Sequence, residues 1–171
     1  IEELLDSDGE NTIQIKATGG YWLHSLYDFP YNSSKIRTLK AQDSLQIDFS
    51  LMVFNSSLFY LYWTTFGNNR DLPETMFKRF SIPESEKLEE HSDEIHRLAE
   101  EIDEKLEQSF NPDVGRKGEF NTKLCKDKID EIDALLGEIY GLSEDQIEFI
   151  QTYDSHIRPN PSNLENFDQE Q

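Results

Sequence analysis

Apolar residues recur at intervals of three and four along most of the chain, and this spacing predicts helices. The densest run is NSSLFYLYWTTFGNNRDL, residues 55–72, which we expect to organise the rest of the fold. Gly67 is predicted to end this helix with a positive φ, and residues 68–71 to form a polar loop that the helix presents. The side chains expected on its buried surface are Leu58, Phe59, Leu61, Tyr62, Trp63 and Phe66.

Two short strands and two further helices are expected around this segment. Residues 12–17 alternate apolar and polar side chains, which predicts a strand, and Ile36 with Leu39 indicates a second one. Asp43 or Ser44 is expected to cap a helix over about residues 45–54. The Asn-Ser-Ser sequence at 55–57 should interrupt that helix and cap the aromatic one, and Pro73 should begin a short helix.

Beyond residue 84 the pattern becomes a narrow apolar seam in a charged background, which predicts a long helix from about 84 to 110. A second helix is expected over about 123–140, with Leu124 on its inner face. Ser143 and Gln146 form a capping-box pattern that predicts a third helix through about Tyr153. The seam of the long helix consists of Leu88, Ile95, Leu98, Ala99, Ile102 and Leu106.

These elements predict an α+β protein: a small β-sheet with aromatic helices, followed by an acidic antiparallel helical hairpin. We divide the chain into an α+β part at 1–83, the hairpin with its short C-terminal helix at 84–154, and a tail at 155–171. The first eleven residues are expected to be a frayed helix or a linker. The tail contains prolines without periodicity, so we expect it to be extended or disordered.

Charge divides the chain at the same place. Residues 84–171 carry 25 acidic and nine basic side chains, whereas residues 12–83 carry five and seven. The acidic half would repel phosphate, so any nucleic-acid contact is expected in the front half. The acidity of the hairpin is also the ordinary property of a solvated helical surface.

Several classes of protein and site are disfavoured by what the sequence lacks. No apolar run has the roughly 20 residues of a membrane span, and the single Cys125 fits a reducing, cytoplasmic setting. Since the chain does not begin with Met, we expect a piece of a longer protein, although removal of an N-terminal segment would give the same sequence. No metal-binding pair, nucleophile motif or phosphate-binding glycine loop is present, so we assign no catalytic residue and no metal site.

The ordered motifs of the front half resemble a known family. The run Asn55-Ser56, Phe59 to Trp63, Gly67/Arg70/Leu72 and Phe80/Ile82/Pro83 is similar to the segment that closes the TaqI-like C-terminal specificity domain of N6-adenine DNA methyltransferases and type IIG restriction–modification enzymes. Residues 18–36 resemble the strand region that precedes it, and residues 128–154 resemble the helical closure. The Gly-Asn-Asn-Arg-Asp-Leu sequence here differs from the family's usual Gly-Asp-Gly-Arg-His-Leu, so base preference does not transfer.

The resemblance implies a DNA target-recognition fragment that is non-catalytic by itself. Its partners would be double-stranded DNA and an N-terminal methyltransferase domain of the same parent chain, which would bind S-adenosylmethionine. The fragment has neither the Asn-Pro-Pro-Tyr tetrapeptide nor a glycine-rich cofactor loop, so no cofactor is assigned to it. Because a methyltransferase extrudes its target base, a separate element must hold the flanking duplex.

Residue chemistry suggests which side chains would contact that duplex. Arginine suits guanine and asparagine suits adenine, so Arg70, Asn68 and Asn69 are the candidate base contacts. Each also has a structural interpretation. Asparagines are common in turns, Arg70 can pair with Asp71 or cap a helix, and an aromatic residue such as Trp22 is usually core. The candidates for phosphate contact or stacking are Lys35, Arg37, Lys78, Arg79 and Trp22.

Two other functions remain open at this stage. The acidic hairpin could be a protein-interaction module that binds a basic partner or dimerises through the seam from Leu88 to Leu106. The net charge of −19 could also imitate the phosphates of DNA.

Overall fold

The computed structural model describes residues 8–18 and 22–153. Most of the expected leader and the whole tail at 155–171 lie outside the described residues. Within them the chain is an α+β fold, as its periodicities predicted. The strands are β1 (Asn11–Lys16), β2 (Ser25–Leu26), β3 (Ile36–Ala41), β4 (Phe110–Asn111) and β5 (Glu119–Phe120). The α-helices are α1 (Ser44–Asn55), α2 (Ser57–Phe66), α3 (Glu74–Arg79), α4 (Ser85–Glu90), α5 (Ser92–Ser109), α6 (Lys126–Tyr140) and α7 (Glu144–Thr152).

The larger sheet is antiparallel with the order β2-β1-β3. Alternation in β1 has the expected result, because Ile13 and Ile15 are fully buried while Gln14 between them is not. The register pairs Ile13 with Leu39 and Lys16 with Ile36, so the second predicted strand is confirmed. β2 has only two residues, which are too few for an alternating pattern to predict the strand from the sequence.

Helix α1, rather than the aromatic segment, lies at the centre of the fold. Ten of its twelve residues are buried, since the sheet covers one side and α2, α5 and α6 cover others. A helix that carries apolar residues around most of its circumference has to be surrounded in this way. The expectation that residues 55–72 organise the fold is therefore wrong: α2 packs on α1 with Phe59, Tyr60 and Trp63 buried, and leaves Phe66 exposed.

Local capping signals predicted the helix starts well. Asp43 accepts a hydrogen bond from Leu45 N at 3.1 Å and caps α1. Ser56 caps α2 by accepting from Phe59 N at 3.0 Å, and Ser143 with Gln146 forms the expected capping box of α7. These contacts join residues two or three positions apart, so the sequence alone specifies them.

The acidic half departs from its predicted form in three places. The long helix is broken at His91 into α4 and α5, although both pieces keep their seam residues buried. Residues 110–120 form the β4–β5 hairpin instead of a plain connection, and Gly115 and Gly118 supply its positive φ angles. Leu124 lies in a 3-10 turn before α6 and is 59% exposed, so its expected inward position is wrong.

The two halves share one core. Among the described residues, most buried apolar side chains belong to one cluster that extends from Ile13 to Ile139. Asp133 of α6 accepts hydrogen bonds from Ser57 N at 2.8 Å and Leu58 N at 3.3 Å, at the positive end of α2. Leu88, Ile95 and Leu98 are at most 3% exposed, so the seam of the predicted long helix is packed against the rest of the molecule.

Candidate nucleic-acid interface

The loop between α2 and α3, residues 67–72, is fixed at its C-terminal end. Trp63, which is buried, donates from Nε1 to the carbonyl of Asp71 at 3.1 Å. Leu72 is also buried, and its N–H donates to the carbonyl of Ala17 at 2.9 Å. Thr18 and Asp71 form an isolated antiparallel bridge beside that bond. The loop therefore projects from the core with little freedom at its base.

Glycine is required at position 67 because a side chain would clash there, and the positive φ expected from the sequence is not the reason. Its φ is −99° and its ψ is −171°, so the predicted positive φ is wrong. A Cβ at this position would lie 2.5 Å from the carbonyl oxygen of Trp63, which is closer than van der Waals contact allows. The positive φ of the loop belongs to Asn69, at 55°, a conformation that asparagine tolerates better than most residues.

Asn68 has a structural task within the loop. Its Oδ1 accepts hydrogen bonds from Arg70 N at 3.0 Å and from Asp71 N at 2.8 Å. Two backbone donors thus fold over one side-chain oxygen in an Asx turn. The turn holds Asn69 and Arg70 at the tip, where both are exposed.

The loop lies at the end of the sheet where two basic candidates are found. Ala17 donates from N to the carbonyl of Lys35 at 2.7 Å and accepts from Leu72 N. One residue thus joins the loop to the chain that enters β3. Lys35 and Arg37 are both exposed at this end. These backbone contacts bring the chain segments that carry Arg70, Lys35 and Arg37 to one end of the sheet, although the residues are up to 35 positions apart in the chain.

The remaining candidates differ in how free they are. Lys78 forms an ion pair with Glu74 at 2.9 Å, and this cation, with Arg37, lowers the pKa of the Glu74 carboxyl. Arg79 is exposed. Trp22 is 8% exposed and belongs to the core, so its ring lacks the open surface that base stacking needs. None of the ion pairs among the described residues involves Arg70, and the pairing with Asp71 considered above is not formed.

A cleft of about 650 Å³ lies beside the loop, between the end of α2 and α3. Phe66 is 71% exposed at its edge, although helical spacing placed this residue on the buried surface. The helix ends at Phe66, so no neighbouring turn covers its ring. The cleft combines aromatic, cationic and polar side chains. Its lining consists of Tyr62, Phe66, Gly67, Asn68, Pro73, Thr75, Met76 and Arg79.

A second polar cluster, on another part of the molecule, was not expected from the sequence. Asp48 of α1 accepts from the Tyr27 hydroxyl at 2.5 Å, and its second oxygen lies 2.5 Å from Nδ1 of His96. Burial, followed by the hydrogen bond to Asp48, raises the pKa of the Tyr27 phenol. The three residues are distant in sequence and link the central helix to α5. Because Asp48 is 7% exposed, the cluster acts as a cross-link between elements.

None of the described helices combines the length and the apolar character needed to cross a bilayer. Comparisons with protein-family models, with curated proteins and with solved structures found no match to the chain.

Proposed function

We propose that this chain is a DNA target-recognition fragment of a site-specific DNA adenine methyltransferase or restriction–modification enzyme of the cytoplasm. The fragment contacts double-stranded DNA and catalyses nothing by itself. The S-adenosylmethionine-binding methyltransferase domain would precede it in the parent chain. The observation that carries the proposal is the exposed Arg70, which has no ion-pair partner among the described residues and stands on a loop fixed by Trp63 and Leu72.

A loop of this kind suits groove recognition for two reasons. An arginine with a free guanidinium can donate two parallel hydrogen bonds to guanine O6 and N7. A loop that is already ordered loses little conformational entropy when it binds. Asn69 stands next to Arg70 at the tip as a second candidate base contact, whereas Asn68 shapes the turn through its Oδ1.

The charge distribution supports an approach of the duplex from this side. Lys35 and Arg37 lie at the same end of the sheet as Arg70 and would contact phosphates. The helical half carries most of the acidic side chains and repels a duplex that approaches elsewhere. We therefore expect one basic face to bind DNA and the acidic face to orient the fragment on it.

The test is titration of a fluorescein-labelled duplex with the 171-residue chain at low ionic strength, followed by anisotropy. Binding should be weak, with a Kd on the order of 10⁻⁶–10⁻⁴ M, the range of electrostatic, non-specific complexes. Arg70→Ala should weaken binding and reduce the salt dependence of log K by about one phosphate equivalent if the side chain reaches the backbone. If it contacts a base instead, the loss should depend on sequence.

The matched control is Arg97→Ala, which removes the same side chain from the acidic half. Arg97 pairs with Glu101 at 2.9 Å and lies on the helical surface, so duplex affinity should be unchanged or slightly changed. Equal affinity of the Arg70→Ala, Arg97→Ala and unmodified chains for every duplex would remove Arg70 from the proposal. A chain that binds no duplex at low ionic strength would refute the proposed function for the fragment.

A further inference from the structure

We propose that the cleft between α2 and α3 binds one unstacked nucleotide of a DNA strand, with its base on the ring of Phe66 and its phosphate on Arg79. The inference deepens the proposed function and rests on it for the source of the nucleotide. It assigns a second binding mode to the same region, separate from groove contacts by Arg70. Single-stranded or locally opened DNA would be the ligand.

The first wall of the cleft is an aromatic platform. Phe66 has most of its surface exposed, and its ring lies 5.3 Å from that of Tyr62, measured between centroids. Tyr62 is held in turn by Phe80, with centroids 5.1 Å apart in an edge-to-face arrangement. The supported side of Phe66 is therefore fixed, and the open side is free to stack. Every base has a π surface, so such a platform accepts a nucleotide of any sequence.

The opposite wall supplies a cation. Arg79 lines the cleft, is exposed, and takes part in none of the ion pairs among the described residues. Glu74, the acidic residue of α3, is already paired with Lys78. Burial raises the pKa of Tyr62, and the charge of Arg79 opposes that rise, so the cation acts at the aromatic wall. An anion in the cleft would meet a guanidinium without a carboxylate competitor.

Two polar side chains in the lining of the cleft offer specific contacts. Asn68 uses Oδ1 within the loop, and its amide NH₂ is a further hydrogen-bond donor. Thr75 adds a hydroxyl on the α3 side. The volume of about 650 Å³ lies within the range of about 300–1,000 Å³ that is usual for small-ligand sites. A nucleotide has a planar base, polar atoms along the edge of that base and an anionic phosphate, so it matches the aromatic, polar and cationic side chains of the cleft.

The test uses the full 171-residue chain and a short single-stranded oligonucleotide with a central 2-aminopurine, whose fluorescence changes on stacking. Phe66→Ala should weaken binding roughly 5- to 150-fold, the range of one base–aromatic stack, and abolish the fluorescence change. Phe149→Ala is the matched control, since Phe149 is 57% exposed on α7. Arg79→Ala should weaken binding and lower the salt dependence, with Arg97→Ala as its control.

Duplex binding measured in parallel distinguishes the two proposals. Loss of single-strand binding by Phe66→Ala with unchanged duplex binding supports the cleft site. If Phe66→Ala binds the oligonucleotide with unchanged affinity and fluorescence, the cleft proposal is overturned. The proposed function is then decided by the duplex binding of Arg70→Ala. Failure of the unmodified chain to bind the oligonucleotide also overturns it. The circular dichroism spectra of Phe66→Ala and Arg79→Ala should match that of the unmodified chain, because Phe66 and Arg79 are both exposed.

Discussion

Replacing Asp103 with asparagine should make the protein more stable at neutral pH. Asp103 lies on α5, is 8% exposed, and accepts a hydrogen bond from Tyr27 N at 2.9 Å. Burial first, and then the negative charges of Glu107, Glu104 and Asp28, raise the pKa of its carboxyl to about 6. In the unfolded chain an aspartate has a pKa of about 3.9. The native state therefore binds a proton more tightly than the unfolded state.

The sign of the pH effect follows from that difference. Ionised Asp103 destabilises the native state above the folded pKa, and the native state gains stability as the pH falls through about 6 toward about 4. A folded-state pKa that is higher than the unfolded value by about 2 lowers the free energy of unfolding at neutral pH by about 3 kcal/mol. Because Asp103 is not fully buried, screening by solvent reduces the expected effect to about 1–2 kcal/mol. Asparagine removes the charge and keeps an oxygen for Tyr27 N.

The assay is urea unfolding of both proteins at about pH 7.5 and about pH 5, on either side of the folded pKa. The free energy of unfolding of Asp103→Asn should exceed that of the unmodified chain at the higher pH, and the difference should shrink at the lower pH. Asp113→Asn makes the same charge change at an exposed position and should have an effect within about 0.5 kcal/mol. A variant less stable than the unmodified chain at the higher pH would refute the reasoning.

Three further substitutions test the contacts that hold the fold and the loop. Tyr27→Phe removes the 2.5 Å hydrogen bond to the buried Asp48 carboxylate and should lower the free energy of unfolding in urea by about 1.5–3 kcal/mol. Asp133→Ala leaves the N–H groups of Ser57 and Leu58 without that acceptor, and should cost about 1–3 kcal/mol and speed amide hydrogen exchange at the start of α2. Gly67→Ala forces a Cβ against the carbonyl of Trp63, so it should lower the melting temperature and weaken duplex binding about as much as Arg70→Ala.

Each of these expectations has a contrary outcome. If Tyr27→Phe is as stable as the unmodified chain, the hydrogen bond between Tyr27 and Asp48 contributes no more to stability than the hydrogen bonds to water that replace it. Exchange that is faster throughout the protein in Asp133→Ala, rather than first in α2, would show that the contact is not a local cap. Full duplex affinity of Gly67→Ala would separate the loop conformation from DNA binding.

The sequence by itself determined the elements whose cause is local. Asp43, Ser56 and the Ser143–Gln146 box cap helices through hydrogen bonds to residues two or three positions away. Alternation in β1 and the three- and four-residue spacing of the seam reflect the geometry of single elements. The α+β class followed from these patterns.

Only the tertiary structure decided which surfaces are covered. Phe66 repeats the spacing of buried residues, yet it is exposed because the chain turns away at Gly67. Asp133 reaches Ser57 across 76 positions, and Asp48 meets Tyr27 and His96 from separate elements. The choice of α1 as the centre depends on the packing of distant segments, and so does the approach of the loop that carries Arg70 to the segment that carries Lys35. The periodicity of apolar residues indicates which side of a helix or strand must be buried. Packing in three dimensions then decides which element covers that side.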